Sequence, residues 1–174
     1  MCIRDRSDAA ALAAIYDVDC RSFPVGSGSE RFERARDALM HWRHFEIPWL
    51  EFHGGDGPAR SGQVVATLVS IAGIWFLNPC RVLPLGPEAP GAFEFSYGTL
   101  PGHAERGEER FRVAIDPTTE AVTYEIAAFS RPAIWLARFG YPFARRLQAR
   151  FAGASADALV RACEGDGPLH ESRQ

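Results

Sequence analysis

Between Trp49 and Ser130 the chain changes the side it presents at nearly every residue, and this alternation limits its folds more than any other feature. In AFEFSYGT, Phe93, Phe95 and Tyr97 alternate with Glu94 and Ser96. In EERFRVAID, Glu109, Phe111, Val113 and Ile115 alternate with Arg110 and Arg112. In AVTYEIAAF, Val122, Tyr124 and Ile126 share one face. A period of two belongs to strands, whose successive side chains point to opposite faces. The turns GPEAPG and PTTE separate these runs, and WLEFH and the β-branched GQVVATLVSIAG precede them as further strands. IWFLNPCRVLPL is interrupted by Asn78-Pro79, which demotes it to an edge or bulged strand because Pro cannot donate to a ladder. Such a series predicts an antiparallel sheet with one wet face and one aromatic face that something must cover.

The cover is predicted to be the last helix. Ser130 is expected to start that helix and Pro132 suits a first helical position, and Trp135, Phe139, Phe143, Leu147 and Phe151 recur every four residues as a broad apolar stripe. Gly140-Tyr141-Pro142 predicts a kink or break after the first turns. At the other end, AIYDVDCRSF reads as a half-buried strand with Tyr16, Val18 and Cys20 opposite Asp17 and Asp19. Ser27 with Glu30 predicts a capping box, followed by a helix with Phe32, Ala35, Leu39 and Trp42 at helical spacing and Pro48 at its end. His41 and His44 flank Trp42 on its rim. The order strand, helix, about six strands, long helix predicts an α+β helix-grip fold: a curved antiparallel sheet of about seven strands wrapped around a long C-terminal helix. A hollow between sheet and helix would be apolar and suited to small hydrophobic molecules.

A chain of 174 residues fits one domain, expected over residues 7–164. MCIRDR resembles translated sequencing-adaptor read-through, so residues 1–6 are expected to be non-native, and the polar tail 165–174 is expected to be disordered. Net charge is −3 with no Lys, and all 19 basic residues are Arg. No bulk attraction to nucleic acid follows. Cys2, Cys20, Cys80 and Cys163 form no CxxC pair and suit reduced thiols in a cytoplasm. No apolar run approaches the ~20 residues of a membrane span. GxSxG, phosphate-loop and dinucleotide fingerprints are absent from the sequence, and no cofactor is expected.

FERARDALMHW, NPCRV, YGTLPGHAERGEERF and AFSRPAIWLARFGYP resemble a bacterial and plant family catalogued as domain of unknown function nineteen-ninety, over about Val25 to Phe151. That family is similar to the START-like and birch-pollen-allergen-like superfamily. The resemblance implies the helix-grip fold and hydrophobic-ligand binding as a class; it supplies no activity and no catalytic residues.

Within YGTLPGHAERGEERF, Leu100 to Gly107 is expected to form a hairpin loop. Tyr97 and Glu109 share the parity of the Phe residues, so both are expected on the apolar face. A carboxylate there is costly unless it is hydrogen-bonded, and its pKa rises on desolvation. Tyr97 is close enough across a hairpin to donate to it, and His103 is within reach from the loop. Three uses of the stretch stand open: a structural turn, a proton-transfer site of Glu109, His103 and Tyr97, and a metal site of His103, Glu105, Glu108 and Glu109, whose spacing matches no known motif. The leading expectation is a binding protein for a hydrophobic or amphipathic small molecule. Phe93, Phe95, Phe111, Tyr124, Trp135 and Phe139 would wall the ligand, with Tyr97, Glu109 and His103 at its polar end. The rivals are an enzyme on the same scaffold and a partner-binding module using the Arg face of the last helix (Arg138, Arg145, Arg146, Arg150).

Overall fold

The computed structural model describes residues 17–71, 73–86, 89–103, 105–132 and 141–165. In chain order the elements are β1 (Asp17–Ser27), α1 (Ser29–Met40), a single 3-10 turn (Arg43–Phe45), β2 (Leu50–His53), β3 (Val64–Ile71), β4 (Ile74–Val82), β5 (Ala92–Thr99), β6 (Glu105–Ile115), β7 (Ala121–Pro132) and α2 (Tyr141–Glu164). All strands join one antiparallel sheet in the order β1-β7-β6-β5-β4-β3-β2. β2 to β7 form a meander of neighbouring hairpins, and β1 leaves its place in sequence to pair with β7, Asp17 opposite Ser130. The sheet curls, and its inner face is closed by α1, the 3-10 turn and α2, which also pack on one another. The expected α+β helix-grip architecture is therefore the observed one.

The core follows from strand parity. Phe93, Phe95, Tyr97, Phe111, Val113, Val122, Tyr124 and Ile126 all turn inward and are buried. Against them α1 brings Phe32, Ala35 and Leu39, and the residues after it bring Trp42 and Phe45. α2 contributes Ala152, Ser155, Ala156, Leu159 and Cys163, spaced three or four apart. The small residues of that stripe let the helix approach closely, so that Tyr124 Oη and Ser155 Oγ share a buried hydrogen bond of 2.9 Å.

Several local expectations are corrected. β7 runs on through Ser130 to Pro132, so neither residue opens the last helix. Pro132 is tolerated because it stands at the strand's end, and α2 begins at Tyr141. The buried stripe of α2 lies further along than the aromatic ladder, with Phe151 only partly buried beside it. α1 starts from Gly28, whose φ of 93° suits Gly, and no side chain caps it. Ser27 is still strand, and Glu30 pairs with Arg34 instead. α1 ends at Met40, eight residues before Pro48, because Trp42 adopts the left-handed conformation. β1 keeps its alternation with the opposite sense: Val25 is buried and Cys20 is exposed. β4 is an edge over part of its length only, pairing with β3 throughout but with β5 solely at Cys80, Arg81 and Val82. The tail beyond Gly165, the leader and the side chain of Phe143 lie outside the described residues.

The hairpin loop is shorter than Leu100 to Gly107, since β6 begins at Glu105 and Gly107 stands opposite Ser130. Gly is needed there for closeness rather than for a turn. A Cβ on residue 107 would overlap the Phe129 carbonyl and stand 2.8 Å from Ser130 Cα. Both are backbone atoms of a paired strand and cannot swing aside. Gly107→Ala is expected to cost about 1–3 kcal/mol, seen as a lowered thermal midpoint with β6 and β7 parted at this rung.

Candidate functional site

Cross-strand partners in an antiparallel sheet face the same side, so the register gives the inner face as a series of rows. Phe93, Val113, Tyr124 and Phe23 make one row, and Phe95, Phe111, Ile126 and Arg21 the next. Then follow Val82, Tyr97, Glu109, Ala128 and Asp19, and last Cys80, Thr99, Gly107 and Ser130. The face thus passes from aromatic to polar along the strands, and the polar end lies where the β5–β6 hairpin turns.

At that end Tyr97 Oη donates a hydrogen bond of 2.6 Å to Glu109 Oε2. The bond follows from register, because Tyr97 and Glu109 are directly opposed. Tyr97 is buried and Glu109 partly so. Burial raises the Glu109 carboxyl to about 7, and the negative charges of Glu105 and Asp19 add to the rise, while the Tyr97 bond favours the ionised acid and works against it. The Tyr97 phenol is raised well above its ordinary value by burial and then by the charge of Glu109. Cys80 faces the same pair, and burial with the Glu109 charge pushes its thiol up to about 12, leaving it protonated and inert as a nucleophile. Asp19 reaches the row from β1 and is held by Arg21, whose Nη2 donates to Oδ2 at 3.0 Å.

His103 is turned toward its own loop. Its Nδ1 accepts the Glu105 N–H at 2.9 Å, which places the ring proton on Nε2, and burial lowers its pKa to about 4. Gln148 of α2 closes over the hairpin by donating to Glu105 Oε2 at 2.9 Å. Among the described residues no group of three or more His, Cys, Asp or Glu is placed to hold a metal ion.

Four of the six aromatic residues expected to wall a ligand are buried on the inner face. Phe95 and Phe111 lie 5.4 Å apart between ring centroids, and Phe93 is 6.5 Å from Phe95. Tyr124 lies 6.3 Å from the ring of His44. Trp135 and Phe139 lie outside the described residues, as does Arg138. Of the basic face of α2, Arg150 stacks over the Trp49 ring at 4.4 Å and Arg146 is exposed.

His44 is the residue the sequence placed worst. It is fully buried at the centre of the aromatic cluster, 4.3 Å from Phe45 and 4.8 Å from Phe111 between centroids. Neither of its ring nitrogens, nor Trp42 Nε1, meets a hydrogen-bonding partner among the described residues. Burial lowers the His44 pKa to about 3, so the ring is neutral. The left-handed Trp42 breaks the helix and swings the next turn inward, and no local sequence pattern announces such a break. Asp19 was missed for a related reason: alternation fixes which residues share a face but not which face is the inner one.

Comparison with known proteins bears on the fold that carries these residues. The model of a domain of unknown function (DUF1990) matches residues 5–158. A UPF0548 protein of Dictyostelium discoideum is 36% identical over 157 residues, covering 84% of this chain and 73% of that protein. One from Arabidopsis thaliana is 34% identical over 142 residues, covering 79% of this chain and 68% of that protein. Among solved structures, norcoclaurine synthase from Thalictrum flavum, in complex with dopamine and hydroxybenzaldehyde, superposes with a TM-score of 0.57 at 11% identity, covering 88% of this chain and 90% of that one. A major latex-like protein of Panax ginseng gives 0.51 at 13% identity, covering 84% and 97%. At such identities the likeness is one of fold, the START-like and birch-pollen-allergen-like helix grip.

Proposed function

We propose, since the chain belongs to the family described as domain of unknown function DUF1990, that it is a binding protein for an amphipathic small molecule on the helix-grip scaffold. The ligand's polar end would meet Tyr97 and Glu109, and its apolar body would lie against the aromatic rows between sheet and helix. The single observation that carries this reading is the Tyr97–Glu109 hydrogen bond of 2.6 Å on the inner face of the sheet. An acid set among buried rings is retained at a cost in stability, and a ligand's hydroxyl, amine or carbonyl would give it a use. The solved relative that holds dopamine and hydroxybenzaldehyde supports ligands of this size and mixed polarity. Phe95 and Phe111 would back the ligand; Trp135 and Phe139 join the wall on sequence grounds, and His103 the polar end.

Native mass spectrometry of protein purified without denaturation tests this, followed by release and identification of any bound mass. A discrete organic molecule with one polar end is expected. Tyr97→Phe combined with Glu109→Gln should lower its affinity about 10- to 100-fold, the worth of one or two buried hydrogen bonds. Equal occupancy in wild type and double variant would overturn the assignment of the polar end, and a bare mass after incubation with cell extract would overturn ligand binding.

A second reading rests on one further observation. An acid with a pKa of about 7 is present in both protonation states near neutrality, as a general acid or base requires. If the released molecule is converted by wild type and not by a folded Glu109→Gln variant, the protein is an enzyme with Glu109 as its proton carrier.

A further inference from the structure

We infer that the β3–β4 hairpin is a lipid-surface contact, dipping its tip into the outer few ångströms of a bilayer. Independently of the ligand reading, three observations meet there. The three most exposed large apolar side chains among the described residues sit together on β4 beside the turn: Ile74 is 61% exposed, Trp75 57% and Leu77 55%. Every residue from Ser61 to Cys80 is uncharged, with Arg60 and Arg81 standing at either end of the run. The hairpin also projects beyond its neighbour: β4 meets β5 only at Cys80, Arg81 and Val82, the Leu100 N–H reaches the Pro79 carbonyl, and Ile74 to Asn78 pair with β3 alone among the described strands.

A bilayer fits this tip better than a protein does. Three side chains offer a few hundred Å² at most, short of the ~800 Å² per partner that a stable protein interface buries. A lipid surface asks only for apolar tips, an indole at headgroup depth and backbone groups bonded within the segment. The hairpin supplies the last by pairing Ser70 with Trp75 and Ile71 with Ile74. Insertion is shallow, because Glu51 shares the outer face two strands away, opposite Leu68, which is itself opposite Leu77. A net charge of −3 and the lack of a basic cluster on the hairpin make the contact apolar rather than electrostatic.

The test is co-sedimentation of the full chain with large unilamellar vesicles of phosphatidylcholine alone. Reversible partitioning no stronger than that of a single acyl chain, roughly 10⁴ M⁻¹, is expected, and it should not weaken between about 0.1 and 1 M salt. Ile74→Ser with Trp75→Ser should lower it at least tenfold. Both side chains are exposed, so an unchanged thermal midpoint will show that the fold persists. Trp75→Phe should remove the blue shift in tryptophan emission that vesicles produce. Failure of wild type to partition, or equal partitioning of the double serine variant, would overturn the inference. So would a dimer in light scattering that the same substitutions dissolve, which would assign the tip to a second copy of the chain.

Discussion

Phe111→Ala should lower unfolding stability by about 3–5 kcal/mol, the range for a truncated aromatic in a packed core. Phe111 is fully buried in the middle of β6. Its ring lies 4.8 Å from His44, 5.2 Å from Tyr97, 5.4 Å from Phe95 and 5.8 Å from Phe45 between centroids. These partners come from the sheet and from the 3-10 turn, so no single element can shift to fill the space. A domain holds only about 5–15 kcal/mol in total, and the variant should be largely unfolded at temperatures where wild type is intact. Denaturant midpoints measure the effect, with Phe111→Leu as a milder comparison. A loss below about 1 kcal/mol would mean that the aromatic cluster can collapse into the gap and is less firmly packed than its ring contacts imply.

Glu109→Gln should stabilise the protein in mild alkali and do little in acid. The folded-state pKa of Glu109, about 7, lies above its ordinary 4.5. The folded state therefore binds more protons between these values, and stability is lost as pH rises from 4.5 through 7. Gln cannot ionise and can still accept from Tyr97, so the variant should gain up to about 3 kcal/mol at pH 8, shrinking to nothing near pH 4. His44 has the opposite sign. Its pKa falls from 6.5 to about 3, so its burial stabilises fully above 6.5 and progressively less as pH drops toward 3. In wild type the two slopes oppose each other between 4.5 and 6.5. In the variant the His44 limb stands alone, joined by His103, whose pKa is lowered to about 4. Stability should then climb with pH up to about 6.5 and level off. Denaturation series from pH 4 to 9 on both proteins read this directly, and a variant weaker than wild type at pH 8 would show that the ionised carboxylate is the favoured form.

How far such a site can be read from sequence depends on the kind of order behind it. Parity is local: once Phe93, Phe95, Phe111 and Tyr124 are placed inward, Tyr97 and Glu109 go with them, and a hairpin turning near residue 102 sets them opposite each other. The antiparallel sheet was legible for the same reason; a covering helix was expected from its own periodicity, but its start and its buried stripe lie further along the chain than that periodicity placed them. What escaped depends on single backbone angles or on other strands. The left-handed Trp42 turns His44 from the helix rim into the core. The partnership of β1 with β7 decides that Asp19 and not Val18 faces Glu109's side of the sheet. Ser130 and Pro132 satisfy the rules for a helix start equally well, yet pairing with β6 keeps both in the strand. Gly107 looks like a turn residue until Phe129 is seen against it.

The pairing of β1 with β7 also sets an order of events at the ribosome. β1 leaves the exit tunnel early, with Phe23 and Val25 seeking cover, but its partner spans Ala121–Pro132, about a hundred residues later. At ordinary synthesis rates that wait is roughly 5–20 s. Throughout it the first strand offers an unmatched ladder edge to any neighbouring chain. Closure of the sheet is thus a late, long-range step, and the newborn protein is most exposed to misassociation just before its last strand arrives.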